Sequence, residues 1–228
     1  MRNLTNRFEH KKYLVALLVL VMVVTLNSCG EAPNRSRAVF LLLDTSGTYS
    51  RELEKAQLIM NYLLATLDSG DSIAIARIDN GSFSEKDIIA MATFDERPST
   101  VNHQKRDFKQ RLDKFVAQLE RGSTHTDISG GLLQATAYLE ETGAAEQHVL
   151  IFSDLEEDLV KGHIREFELP LEDIQVSALN VTKLRTDNID PREYLDRVSK
   201  WEARIVEGGG KWRVINDLER LDNLIAHR

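Results

Sequence analysis

Residues Ala38–Ser50 read AVFLLLDTSGTYS, and the fold turns on how this stretch is read. Ala38 to Leu43 are apolar without a break and run straight into Asp44. A short run of this kind, closed by small polar residues, fits a strand buried on both faces better than a helix. Beyond it Asp44, Ser46 and Thr48 alternate. An extended or gently turning backbone therefore aims three oxygen-bearing side chains at one spot, and Gly47 and Ser50 let the loop curl around it. Oxygen-only donors suit a hard cation such as magnesium, manganese or calcium, not zinc. The plainer reading is a turn that caps the next helix, which Asp with Ser or Thr after a strand does routinely.

A second stretch shifts the balance toward a site. His148–Asp154 reads HVLIFSD, again a short apolar run ending in Asp. Two buried parallel strands that both finish in a carboxylate put both acids at the carboxyl edge of one sheet. Open α/β sheets bind ligands at that edge, where the strand order switches direction.

The chain has 228 residues, 42% hydrophobic and 29% charged, a globular balance that suffices for one sizeable domain and hardly two. Its first residues stand apart. Arg2, Arg7, Lys11 and Lys12 precede an apolar run, Tyr13 to Leu26, which leads directly into Leu26-Asn27-Ser28-Cys29. This is the architecture of a secretory signal, and the apolar run is short for a membrane span. The Leu-x-small-Cys sequence resembles a bacterial lipobox, with Asn27 a less usual residue at its position. The resemblance implies cleavage before Cys29 and lipid on its thiol. An uncleaved signal-anchor is the alternative. Cys29 is the only cysteine, so a mature domain in an oxidising envelope has no disulfide to form. Gly30 follows it, where in Gram-negative lipoproteins an Asp signals inner-membrane retention; the expected location is the cell envelope, with the periplasmic face of the outer membrane favoured if the host is Gram-negative. Formal net charge is −7, and the basic leader leaves the remainder more acidic still, a poor surface for nucleic acid.

The rest alternates strand and helix. Helical stripes run over Arg51–Leu67 and Asp107–Arg121, and a helix continues from Leu132 to Glu141; another starts at Asp190-Pro191 and stops at Gly208-Gly209-Gly210, with Trp201 inward. Strands are predicted at Ser72–Ile78, Asp87–Phe94, Ile174–Val181 and Trp212–Ile215, the first two joined antiparallel by a hairpin signal at Asp79-Asn80-Gly81-Ser82. Leu155–Pro170 reads as an acidic loop with a short helix, and Asp217–Ala226 as a final helix. The expectation is an α/β fold of three layers: a mostly parallel six-stranded sheet, one antiparallel edge strand and helices on both faces.

With those parts in place the chain resembles the von Willebrand factor type A (vWA) domain, and in particular its metal-ion-dependent adhesion site. The family's first motif, Asp-x-Ser-x-Ser after the first strand, is matched by Asp44, Ser46 and Thr48, with Thr in place of the last Ser. Its loop Thr falls in THTDISGGL; Thr126 is favoured by the spacing to Gly131 and Leu132, with Thr124 the alternative. Its third element, an Asp closing the fourth strand, is Asp154, followed here by Leu155 where most members have Gly. The organisation expected is a signal peptide over 1–28, a tether over 29–36 and a vWA domain over 37–228. The resemblance implies a divalent ion held by few direct anionic ligands, Asp44 and Asp154 reaching it partly through water, with one position open to an acidic side chain of a protein partner. A domain of net negative charge repels such a partner at long range, so the ion must outweigh it within a Debye length of about 8 Å.

Other features are weaker. His125 reads as a rim residue more than a ligand, and Glu156, Glu157 and Asp158 as a solvated acidic loop more than a second cation site. Asp44-Thr45-Ser46-Gly47-Thr48 is faintly similar to the nucleophile motif of haloacid-dehalogenase-type phosphatases. Ser46, however, stands where that chemistry needs a second Asp as proton donor. No Gly-x-Ser-x-Gly elbow, His-Glu-x-x-His or phosphate-binding glycine motif occurs. The expectation is therefore a binding protein and not an enzyme, with a magnesium-dependent phosphatase, or a structural lipoprotein whose metal site stays empty, as alternatives.

Overall fold

The computed structural model describes residues 35–47, 49, 52–119, 122–162, 164–219, 221, 224 and 225. Arg35–Arg228 form one compact unit. The leader, the tether up to residue 34, Cys29 and Thr48 lie outside the described residues. The elements run β1 (Arg37–Asp44), α1 (Leu53–Thr66), β2 (Ser72–Ile78), β3 (Ile88–Thr93), α2 (Pro98–Gln118), α3 (Ile128–Thr142), β4 (Glu146–Phe152), β5 (Gln175–Leu179), α4 (Pro191–Glu207) and β6 (Lys211–Ile215). The sheet order is β3-β2-β1-β4-β5-β6, parallel throughout except for β3, which is antiparallel at one edge.

β1 is central, and all eight of its residues are buried. Alternate side chains enter different cores, as the two-residue period of a strand requires. Val39, Leu41 and Leu43 pack with α1 and α2, among them Ile59, Leu63 and Phe108. Ala38, Phe40 and Leu42 pack with α3 and α4, among them Leu132, Ala135 and Trp201. Helix α3 can approach because Gly131 has no side chain: a Cβ there would come within 2.9 Å of Leu42. That close packing explains glycine inside a helix, where it costs about 1 kcal/mol relative to alanine.

Three local expectations change. Helix α2 begins at Pro98, ahead of Asp107, because proline at the first helical position gives up an N–H that would have no partner there. Among the described residues, Leu155–Pro170 contains no helix, and the described residues after Asp217 form turns and a single 3₁₀ position in place of the final helix. Leu224 and Ile225 nonetheless enter the α1/α2 core, so the apolar pattern there reports burial and not helicity.

Two buried polar groups lie at the end of the sheet where β1 and β4 begin. Asp71, just before β2, accepts from the Arg37 backbone N–H (2.8 Å), Arg37 Nε (3.0 Å) and Nη2 (2.6 Å), and from the Asp68 N–H (2.8 Å). His148 on β4 is 2% exposed, and neither ring nitrogen has a hydrogen-bond partner. Burial, with the charges of Arg213 and Arg37, pushes its pKa down to about 4, so the ring is neutral. Removing one member of a buried pair strands the other charge. Asp71→Ala is therefore expected to lower the unfolding free energy in urea by roughly 3–5 kcal/mol.

Candidate metal centre

The strand order reverses direction between β1 and β4, and the two strands are parallel neighbours with Leu43 paired to Phe152. One residue on, Asp44 and Ser153 leave the sheet side by side. Ser153 Oγ donates to Asp44 Oδ2 at 2.6 Å, and the Ser46 N–H donates to Asp44 Oδ1 at 2.8 Å. Asp154 follows at the same rim, its Oδ1 accepting from the Glu156 N–H at 3.0 Å. Both carboxylates are buried, 1% exposed for Asp44 and 4% for Asp154, and neither forms an ion pair among the described residues. Burial raises the pKa of Asp44. For Asp154 burial acts first and the nearby Asp44 charge adds to it, taking the pKa up to about 6.

The threonine-bearing loop is brought to this rim by backbone contact. Ser46 bridges to Ser123, whose N–H donates to the Thr45 carbonyl at 2.8 Å. Glycine is required beside it: a Cβ on Gly122 would lie 2.4 Å from the Thr45 oxygen and 2.8 Å from the Gly47 nitrogen. The loop is pinned from outside by Asn80, whose Oδ1 accepts from the His125 N–H (2.9 Å) and the Thr124 hydroxyl (3.2 Å). Thr124 is exposed, whereas Thr126 is buried and exchanges backbone hydrogen bonds with Asp158. Asp127 then caps α3, its Oδ1 accepting from the Gly130 N–H at 2.8 Å while Arg165 covers its other oxygen. Asp44 at the end of β1, and Ser46, Thr126 and Asp154 on the loops beyond the strands, thus lie at one rim, and Thr48 of the predicted set falls outside the described residues.

The neighbouring acids have separate partners. Glu156 is 3.8 Å from Arg197, Glu157 accepts from the N–H and hydroxyl of Ser129 (2.8 and 2.6 Å), and Asp158 faces His125 Nδ1 at 2.9 Å. They form no shared cluster, and no group of three or more His, Cys, Asp or Glu converges among the described residues. His125 is a rim residue tied to Asp158.

Sequence reasoning missed the residues that shape the rim from behind. Ser153 was legible, since parallel register sets it opposite Asp44; Tyr49, Asn180 and Arg197 carried no signal. Tyr49 is 1% exposed, donates to the Asn180 carbonyl (2.7 Å), and accepts from Asn180 Nδ2 (2.9 Å). Burial, with the charges of Asp44 and Asp154 also contributing, pushes its pKa far up, so the hydroxyl stays protonated. Arg197 forks onto Asp187 (3.1 and 2.8 Å) and donates from Nε to the Asp154 carbonyl (2.9 Å). Leu155 adopts φ 66°, the left-handed conformation that glycine takes freely. The strain of about 1–2 kcal/mol is offset by burying its side chain, 1% exposed in the α3/α4 core.

Solved structures share this fold. A vWA protein from Catenulispora acidiphila superposes with a TM-score of 0.52 at 14% identity, covering 83% of this chain and 41% of that one. A variant of the PilB minor pilin from Streptococcus sanguinis superposes with a TM-score of 0.52 at 11% identity, covering 86% and 61%. The fold is vWA-like. At these identities the likeness is one of fold alone, and the chain spans less than two thirds of both proteins. BatB from Bacteroides thetaiotaomicron, at 15% identity and a TM-score of 0.48, covers 84% of this chain and 95% of its own. No protein-family profile matches the chain, and no curated protein matches it by sequence.

The two unusual titrations have opposite signs. Asp154, with a raised folded pKa, contributes stability that is complete below pH 3.8 and lost as pH rises through about 6. His148, with a lowered one, contributes stability that is present above pH 6.5 and lost as pH falls through about 4. In metal-free buffer the stability of wild type relative to Asp154→Asn should therefore fall between pH 4 and 6, and that relative to His148→Leu should rise. Each pH unit is worth at most about 1.4 kcal/mol, read from urea midpoints. Parallel curves for the two variants would contradict both assignments.

Proposed function

We propose that this protein is a lipid-anchored protein of a bacterial cell envelope whose vWA-like domain captures a protein partner through a divalent ion at the rim. The anchor is Cys29, behind the signal peptide at 1–28. The ion, Mg2+ or alternatively Mn2+ or Ca2+, is held by Asp44, Ser46, Thr48, Thr126 and Asp154. Thr126 is preferred over Thr124, whose hydroxyl is turned to Asn80. The observation that carries this reading is the pair of buried carboxylates at adjacent strand ends, neither in an ion pair among the described residues, the nearby Arg197 being forked onto Asp187. Two like charges out of water are costly together, and the donors around them are hydroxyls, the ligand set a hard cation takes.

When bound, the ion supplies a Lewis-acidic position for an acidic side chain of the partner. The chain's own residues do the rest. Ser153 and the Ser46 N–H hold Asp44 in one orientation, the Glu156 N–H holds Asp154, and Asn80 keeps the threonine loop against the rim. The position two residues after Asp44, where the phosphatase motif carries its proton-donating Asp, is Ser46. This favours binding over phosphatase chemistry. Neither nucleic acid nor a small-molecule substrate is proposed as a partner.

Mg2+ is expected to raise the melting temperature of the wild-type protein, by an amount equivalent to about 2.7 kcal/mol at a hundredfold excess over Kd. Asp44→Ala is expected to remove that shift, to fold as the wild type does, and to lose capture of partners from envelope extract, as chelation does. Hydrolysis of a generic phosphate ester above background would favour the phosphatase alternative. Absence of any shift with Mg2+, Mn2+ or Ca2+ would leave the structural lipoprotein.

A further inference from the structure

The two edges of the sheet differ. β6 carries Lys211 and Arg213 among its five residues, charges of the kind that discourage strand addition. β3 reads IIAMAT, with no charge and no proline, and has β2 on one side only. A bare edge strand offers a row of N–H and C=O groups with which a further strand can pair.

Which groups face outward follows from the ladder. The Phe94 N–H donates to the Asp71 carbonyl at 2.8 Å, and its own carbonyl accepts from the Gly70 N–H at 2.9 Å, so Phe94 bonds inward. Inward and outward residues alternate along an antiparallel strand, so Ala92 bonds inward while Thr93 and Met91 face out. The Thr93 carbonyl agrees, for it accepts from Gln104 Nε2 at 3.1 Å. That side chain closes the Thr93 end and leaves the Met91 N–H and C=O directed away from the sheet.

Hollows flank this edge on both faces. One of about 710 Å3 lies between β3 and α3, with Phe83, Ile88, Met91 and Tyr138 in its wall and Glu85, Glu141 and Arg111 also lining it. Two more lie between β3 and α2, bordered by Lys86, Lys114 and Arg111. Lys86, Arg111 and Lys114 are exposed, and none has an ion-pair partner among the described residues. Met91 is 58% and Phe83 54% exposed. Phe83 also sits at φ 86°, a conformation costing about 1–3 kcal/mol for a residue other than glycine, so a strained backbone holds this ring half in solvent.

We propose that β3 is a docking strand for an extended segment of a partner protein that alternates acidic and apolar residues. Such a segment adds to the sheet as a seventh strand through main-chain hydrogen bonds, with alternate side chains going to opposite faces. Its apolar side chains enter the Phe83–Met91 hollow and its acidic ones meet Arg111 and Lys114. Charge chooses this occupant: on the α2 side Asp87 and Asp107 are taken up by Arg77 and His103 while Lys86, Arg111 and Lys114 have no ion-pair partner among the described residues, and Glu85 and Glu141 lie on the other face, where the apolar side chains go. A second copy of the chain fits less well, because a two-fold β3–β3 contact brings Arg111 and Lys114 toward their own counterparts. The edge lies two strands from β1, about 10 Å across the sheet, so docking here does not depend on the rim or on a metal.

The test uses the full chain in detergent, with a fluorescein-labelled octapeptide of alternating valine and glutamate as probe, read by anisotropy and by amide hydrogen exchange at Met91. Saturable binding is expected, unchanged by EDTA, with exchange at Met91 slowed by about tenfold or more. A peptide with lysine for glutamate, and the Arg111→Glu variant, should each weaken binding by about tenfold or more. Met91→Pro should abolish it, since proline is tolerated where an edge N–H faces outward but cannot donate to the added strand. Arg111 is exposed, so an unchanged melting temperature for Arg111→Glu keeps the result interpretable even if Met91→Pro folds poorly. No binding, binding abolished by EDTA, or binding that leaves Met91 exchange and the Arg111→Glu affinity unaltered would overturn the proposal. So would concentration-dependent dimerisation lost in Met91→Pro, which assigns the edge to a second copy.

Discussion

A strand with parallel neighbours on both sides and helices over both faces has nowhere to put a charge except at its ends, and β1 carries one at each. Arg37 opens it and is matched at once by Asp71 from the start of β2. Asp44 closes it and, among the described residues, is held by hydroxyl and backbone donors, Ser153 and Ser46. The asymmetry is physical. At one end a charge is neutralised by an opposite charge and the strand is anchored. At the other, a carboxylate is oriented without being neutralised, and the next strand over delivers a second one, likewise buried. A rigid central strand turns this into a fixed geometry, because moving Asp44 would mean moving the buried side chains of β1 behind it.

The rim shows how little the number of acids on a loop says about where a cation is wanted. Glu156, Glu157 and Asp158 look as ligand-like as Asp154, but each already faces Arg197, Ser129 and Arg204, or His125. Glu157 also accepts from the first turn of α3, where the orphan N–H groups of a helix favour a carboxylate. Asp44 and Asp154 are set apart by burial without an ion pair among the described residues, and burial is the first cause that raises the pKa of both.

Backbone strain is distributed in a way that separates packing from exposure. Leu155 and Phe83 both adopt left-handed conformations. For Leu155 the cost is recovered locally, since its side chain is buried and its carbonyl accepts from Trp201 Nε1 at 3.0 Å. Phe83 has no such return, with its ring half in solvent beside an uncharged edge strand. The same local conformation therefore reads as a structural compromise in one place and as a surface held ready in the other.

Much of this was legible in the residues. Unbroken apolar runs at Ala38–Leu43 and Val149–Phe152 identify strands buried on both faces, and their terminal acids follow from the same register, because periodicity and burial are local properties of the chain. Alternating strands and helices predict the three layers for the same reason. What tertiary structure alone decided was pairing. That Gly122 lets one loop lie against Thr45, that Asn80 holds Thr124 while Thr126 is buried, that Arg197 supports Asp154 from α4, and that Leu224 and Ile225 enter the core all depend on contacts between distant segments. A sequence shows which side chains are able to bind, and only the folded chain shows which are already bound.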